Sequence, residues 1–169
     1  MKKKAFFFDR DNTLIRDKGY TYLNKDLVFL PWVIKGLAYL KKKNYIIIVL
    51  TNQSGIARKY FKKSEVIKFH NFMNKKLKKF GAKIDDFFIC GCHPDHPKKN
   101  NKCKCRKPSN LMLVKALKKW SLNKENTVMM GDKLIDKKSA LKTNIKFYYK
   151  SKKKNFFTQI KDIVNKSVW

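Results

Sequence analysis

Five short stretches, residues 5–8, 45–50, 87–89, 127–130 and 146–149, are apolar or β-rich throughout rather than alternating. A strand that is apolar on both faces must be covered on both, which is the condition of a parallel sheet layered between helices. The intervening segments supply the helices. Val33, Leu37 and Leu40 recur at helical spacing after Pro31. Val66, Phe69, Met73, Leu77 and Phe80 do the same, with Ser64 as the expected N-cap, and so do Leu111, Val114, Leu117 and Trp120 after Pro108-Ser109. Strands and helices in alternation imply crossover connections. The expected fold is α/β, a Rossmann-like, mainly parallel sheet with helices on both faces; the strand order is not written in this pattern.

A chain of 169 residues suits one domain, spanning 1–169. No apolar run approaches the ~18 residues of a membrane span. The first apolar run stops at Asp9, short of the ~7–15 residues of a signal-peptide core. A soluble, cytoplasmic chain is therefore expected, and a monomer, since no additional apolar face is evident. The charge is extreme, 42 basic residues against 12 acidic, or +30. All but Arg10, Arg16, Arg58 and Arg106 of those basic residues are lysine, spread along the whole chain among many Asn, Ile and Phe. Phosphate-backbone readout favours arginine forks, so the reading is coding bias and a solvated lysine surface, with neither nucleic acid nor membrane as partner. Such a field still speeds the encounter with any anionic substrate.

The residues just past each strand are more informative. The first strand runs into Asp9-Arg10-Asp11-Asn12-Thr13, the second into Thr51-Asn52-Gln53-Ser54-Gly55, and the fourth into Gly131-Asp132-Lys133, with Asp136 close behind. In open α/β sheets ligands bind beyond the carboxyl ends of the strands, so these three clusters converge on one site. Asp9 and Asp11, two apart in extended chain, share a side. Carboxylates held close repel unless a cation joins them. With Asp132 as a third hard oxygen donor, and positions left for water and phosphate, the cation indicated is Mg²⁺. Thr51 offers a hydroxyl and nearby backbone N–H groups to an anion.

In order, Asp9-x-Asp11-x-Thr13, Thr51, Lys107 and Gly131-Asp132-x-x-x-Asp136 resemble the four motifs of the haloacid dehalogenase superfamily of phosphohydrolases, over residues 5–145. The strings FFFDRDNTL, DKGY, TNQSGIARKYF, CKCRKP and GDKLID are similar to the branch that dephosphorylates heptose 1,7-bisphosphate at position 7. Asn12 stands where that family commonly has glycine; asparagine tolerates left-handed backbone, so the turn is expected to survive. The resemblance implies that Asp9 is the nucleophile, forming an aspartyl-phosphate, and that Asp11 is the general acid and then the base. It implies Mg²⁺ held by Asp9, the Asp11 carbonyl and Asp132, with phosphoryl oxygens held by Thr51 and Lys107 and the site oriented by Asp136. Asn52, Arg106 and Lys133 are the candidates for touching the sugar or its second phosphate.

All four cysteines lie in residues 90–105, as Cys90-x-Cys92 and Cys103-x-Cys105. In a cytoplasmic chain two close thiol pairs argue for thiolate ligation of Zn²⁺ rather than disulfides, with His93 and His96 as possible substitutes. The resembling family has a zinc loop here, and aligning it puts Cys92 at its histidine ligand. A structural four-cysteine site is expected, steadying the adjoining Arg106-Lys107. His70, Trp32 and Trp120 read as core residues, and residues 150–169 as a terminal helix packed on the sheet.

The leading function is thus Mg²⁺-dependent hydrolysis of a small bisphosphorylated sugar. The stretch from Asp9 to Thr51 has no room for a large cap domain, which leaves an open cleft. Histidinol-phosphate phosphatase resembles the chain in its zinc loop, but the GYTY segment favours the heptose branch. A DNA 3′-phosphatase shares the TNQ-type second motif and would suit the charge; against it stand the absence of a GxxxxGK[ST] kinase motif and the scarcity of arginine.

Overall fold

The structure, a computed structural model, describes residues 3–96 and 103–166. Among them five parallel strands form one sheet: β1 Ala5–Phe8, β2 Ile46–Asn52, β3 Asp86–Cys90, β4 Thr127–Gly131 and β5 Lys146–Tyr149. Their order is β3-β2-β1-β4-β5. The helices are α1 Val33–Lys42, α2 Lys63–Lys78, α3 Leu111–Trp120, α4 Leu134–Leu141 and α5 Phe156–Lys166. In register, Phe8 pairs with Val49 on one side and Met130 on the other, so the three strands with polar clusters are neighbours and end together. The order reverses between β1 and β4, which is where such sheets open a crevice for ligands.

The uniformly apolar strands have the environment they require. Phe6, Phe8, Ile47, Val49 and Met130 turn to one face, against Leu37 of α1, Phe69 of α2 and Phe156 of α5. Phe7, Ile48, Leu50 and Met129 turn to the other, against Met112 and Leu113 of α3 and Ala140 of α4. Helix α5 closes on α1 at Gly36, where a Cβ would stand 2.6 Å from the Phe156 ring, and Phe156 reaches Phe8 with ring centroids 5.7 Å apart. The terminal segment therefore packs on the sheet as expected; residues 167–169 lie outside those described. Between β1 and α1 the described chain holds a 3₁₀ turn, Asn24–Asp26, and no cap domain. No helix among the described residues is long and apolar enough to cross a membrane.

Four local expectations are corrected. Helix α2 begins one residue before Ser64; Lys62 is its N-cap, its backbone N–H donating to Glu65 Oε2 at 2.7 Å. Phe80 lies past the helix end and is 61% exposed. Helix α3 is apolar around most of its girth, and contact with the sheet selects Met112, Leu113 and Ala116 for the inside, leaving Val114 exposed. Trp32 is not core: it precedes α1 in the left-handed region, φ 67°, which turns its ring outward beneath Lys35. Trp120 is half-buried, its indole N–H donating to Asp86 Oδ2 at 2.8 Å.

Candidate active site

The centre of the site is a buried ion triad. Lys107 is 2% exposed, and its ammonium donates to Asp9 Oδ1 at 2.6 Å and to the Leu50 carbonyl at 2.8 Å, while pairing with Asp136 Oδ1 at 2.6 Å. Burial alone would depress this ammonium, but Asp9 and Asp136 outweigh it and hold the group above the ordinary lysine value. Burial pushes the Asp9 carboxyl up; Lys107 opposes that rise and Asp136 adds to it. One end of the triad sits at the end of β1, the other in the first turn of α4. The bridge comes from a loop, joined to Pro108 by a cis peptide bond.

Asn52, expected to touch substrate, lines the cleft and also braces that loop. Its Oδ1 accepts the Lys107 N–H at 3.0 Å and its Nδ2 donates to the Lys107 carbonyl at 3.1 Å. Asn12 adopts φ 57°, so the turn after Asp11 survives without glycine. Gly131 allows Asp136 its place: a Cβ there would lie 2.6 Å from Asp136 Oδ2. Gly131→Ala is expected to push Asp136 off Lys107 and to lower kcat roughly a hundredfold, at ~1–3 kcal/mol of overpacking, read from steady-state kinetics and thermal unfolding.

The carboxylates of Asp9, Asp132 and Asp136 offer oxygens within 4.8 Å of one another. Among the described residues Asp132 Oδ1 is buried without a hydrogen-bond partner, and burial with Asp9 nearby raises its carboxyl to about 6. An orphaned oxygen among crowded carboxylates fits a hard divalent cation. Asp11 stands apart from that group. Arg10 Nε donates to its Oδ1 at 2.8 Å, and Gln53 Nε2 to its Oδ2 at 2.9 Å. Burial raises its carboxyl, with Arg10 opposing. Gln53 Nε2 also reaches Thr51 Oγ1 at 2.7 Å, so the fully buried Thr51 lies beneath the cleft wall that Asn52, Gln53 and Ser54 form. The cleft, about 230 Å³, is further lined by Asp9, Asp11, Tyr20, Arg106, Lys107 and Lys133. Arg106 and Lys133, the other candidates for substrate contact, line it too. Sequence reading missed Arg10 and Gln53. The signal for both was their place inside the Asp9–Thr13 and Thr51–Gly55 clusters, where a buried polar residue has to contact another.

Beside Arg106 the four cysteine sulfurs converge within 4.8 Å of one another. They stand in two bonded pairs, Cys90–Cys105 and Cys92–Cys103, where sequence argued for thiolates ligating zinc rather than disulfides. The cross-pair separations are 3.4, 3.5 and 3.9 Å. Thiolates at ~2.3 Å around zinc stand about 3.8 Å apart, so the cluster fits a tetrahedral zinc ion once the paired sulfurs are reduced. His93 and His96 instead face Arg58, with Nε2 atoms 3.5 and 2.9 Å from its guanidinium, and among the described residues they are not in the sulfur group. The loop between them and Cys103, residues 97–102, lies outside those described. Protein purified under reducing conditions is expected to carry one zinc per chain by metal analysis, and Cys92→Ala to lose it together with most of the activity, because Cys105 anchors Arg106 and Lys107.

The chain matches the family model described as polynucleotide kinase 3 phosphatase over residues 4–159. It is 35% identical over 167 residues to the D-glycero-alpha-D-manno-heptose-1,7-bisphosphate 7-phosphatase of Campylobacter jejuni, covering 96% of this chain and 93% of that one. It is 35% identical to the D-glycero-beta-D-manno-heptose-1,7-bisphosphate 7-phosphatase of Haemophilus influenzae, over 85% of this chain and 78% of that one. Among solved structures, a HAD-like phosphatase from Mesorhizobium loti superposes with TM-score 0.79 at 29% identity, covering 85% of this chain and 70% of that one. D,D-heptose 1,7-bisphosphate phosphatase from B. bronchiseptica, complexed with magnesium and phosphate, shares the fold with TM-score 0.78 at 20% identity, covering 96% and 98%. With its acidic strand ends, buried lysine and cysteine loop arranged as above, the chain belongs to the polynucleotide kinase 3 phosphatase family of haloacid dehalogenase-type phosphohydrolases, alongside the heptose-bisphosphate 7-phosphatases.

Proposed function

We propose that this chain is a magnesium-dependent phosphomonoesterase that removes the 7-phosphate of D-glycero-D-manno-heptose 1,7-bisphosphate. The observation that carries the chemistry is the Asp9–Lys107–Asp136 triad at the carboxyl edge of the sheet, opening onto a small polar cleft. The sugar assignment rests on relatives of that name that align over most of their own length. In this reading Asp9 attacks phosphorus, forming an aspartyl-phosphate as the bond to the sugar oxygen breaks. Asp11, held by Arg10 and Gln53, gives its proton to the departing oxygen and then takes one from the water that cleaves the acyl phosphate. Lys107 fixes the attacking carboxylate and meets the phosphoryl oxygens, with the Thr51 hydroxyl behind them. Magnesium, held by Asp9, the Asp11 carbonyl and Asp132, supplies neutralisation of the phosphoryl charge when bound. Arg106 and Lys133 line the cleft where the second phosphate enters, and without a cap among the described residues selection falls to such short-loop residues. A zinc–thiolate loop requires a reducing compartment, which supports a cytoplasmic enzyme.

Phosphate release measured side by side on both anomers of heptose 1,7-bisphosphate, on histidinol phosphate and on a 3′-phosphorylated oligonucleotide tests the proposal. Heptose bisphosphate is expected to lead by at least about a hundredfold in kcat/KM. Preference for either other substrate overturns the sugar assignment and leaves the phosphatase chemistry standing.

A further inference from the structure

The core reading of His70 holds for its burial, yet the ring is not merely packing. Arg10 is fully buried, and its guanidinium is tied off on three sides. Nε and Nη2 donate to the Asp11 carboxylate at 2.8 and 3.1 Å, and Nη2 also to the Thr21 carbonyl at 2.8 Å. For Nη1 the described residues give one acceptor, His70 Nε2, at 3.2 Å. A guanidinium only donates, so Nε2 must be the acceptor and the ring proton must sit on Nδ1. The ring cannot easily turn away, because it stacks on Phe87 at 4.1 Å and 15°. Phe69, one residue earlier on α2, lies under the guanidinium at 5.2 Å.

We infer that His70 is a positioning residue for the phosphatase reaction, locking Arg10 from helix α2 so that Arg10 holds the Asp11 carboxylate in one orientation toward the cleft. This rests on the role proposed above for Asp11. Without an acceptor at position 70, a buried N–H is left unpaired and the guanidinium gains freedom to rotate about the Asp11 contact. The proton-transfer group then loses aim while the attacking Asp9, held separately by Lys107, does not.

The leaving group provides the readout. A sugar alkoxide needs a proton to depart, whereas p-nitrophenolate does not. Asp11→Asn is expected to slow leaving-group release in the first turnover at least about a hundredfold on heptose bisphosphate and far less on p-nitrophenyl phosphate, while the later hydrolysis of the aspartyl-phosphate slows alike on both. His70→Leu is expected to slow first-turnover leaving-group release on heptose bisphosphate about tenfold with KM little changed, and no more than about threefold on the aryl ester. His70→Gln, whose amide oxygen can accept from Nη1, is expected to restore most of the loss. Equal losses on both substrates, or none on the sugar phosphate, overturn the inference while Asp11→Asn still discriminates between leaving groups. If Asp11→Asn does not discriminate, the role of Asp11 falls and this inference with it. Nitrogen NMR of the wild-type ring decides the geometry even if the leucine variant fails to fold. The charged groups around the ring are Arg10 and, along the neighbouring cleft, Lys63, Asp86 and Lys115. An unprotonated Nε2 and a protonated Nδ1 unchanged from pH 5.5 to 8 is the expected signature. A ring that titrates in that window, or carries its proton on Nε2, overturns the inference.

Discussion

Asp9→Asn is expected to abolish turnover, lowering kcat by roughly a thousandfold or more, while the protein remains folded. The amide is nearly isosteric, so nothing in the packing at the end of β1 has to move. Its oxygen can still accept from Lys107, which keeps a full charge partner in Asp136. Removing one of three crowded carboxylates also relieves repulsion with Asp132 and Asp136, and this offsets the weaker bond to Lys107. What the amide lacks is the charge and the lone-pair reactivity needed to displace an alkoxide from phosphorus. The measurement pairs steady-state kinetics with thermal unfolding. A variant that keeps wild-type rate removes Asp9 from the nucleophilic role; one that has lost both rate and fold says nothing specific about chemistry, and Asp9→Glu then separates the two, since it keeps the charge but misplaces it.

Lys107→Met is expected to lose both activity and stability, and the second loss is the more informative. Among the described residues the ammonium is the one cation bonded to both buried carboxylates, Asp9 and Asp136, and its third contact is the Leu50 carbonyl. Deleting one member of a buried ionic cluster leaves uncompensated charge, a cost of about 3–5 kcal/mol. For a chain of this length that is a fall in unfolding midpoint of roughly 10 °C. The sign with pH comes from the same picture. Without the lysine, burial and the neighbouring Asp136 hold the Asp9 carboxyl above its unfolded value with the main opposing charge gone, so the folded variant binds more protons there than the unfolded chain. Its deficit against wild type is largest at neutral pH and shrinks as the pH falls through the carboxyl range. A deficit that is flat from pH 7.5 to 5 shows that the lysine acts through packing alone.

Much of the site is legible in the chain because its parts are local. Asp9 and Asp11, Thr51 to Ser54, and Gly131 to Asp136 each lie at or just past the end of a strand, and the strand itself fixes where its end points. Asn12 could be trusted to hold a left-handed turn on intrinsic preference, and it does, at φ 57°. The cysteine pairs announced a metal-sized cluster by spacing, and the sulfurs do converge. Surface assignments were weaker. The burial of Val114 depends on which way its helix rolls onto the sheet, and that of Trp32 on the left-handed turn before α1; both ended outside.

Contiguous residues were enough to specify the layered α/β fold and the polar clusters at the strand ends, because a uniformly apolar strand and the turn after it are properties of one short segment. Packing in three dimensions was needed to set the order β3-β2-β1-β4-β5 and to lay Lys107 between Asp9 and Asp136. It was also needed to make Asn52 a brace for that lysine and to bring His70 against Arg10. Each of these joins residues far apart in the chain, and such pairings are fixed by how helices and strands pack, about which the local pattern of any one segment carries no information.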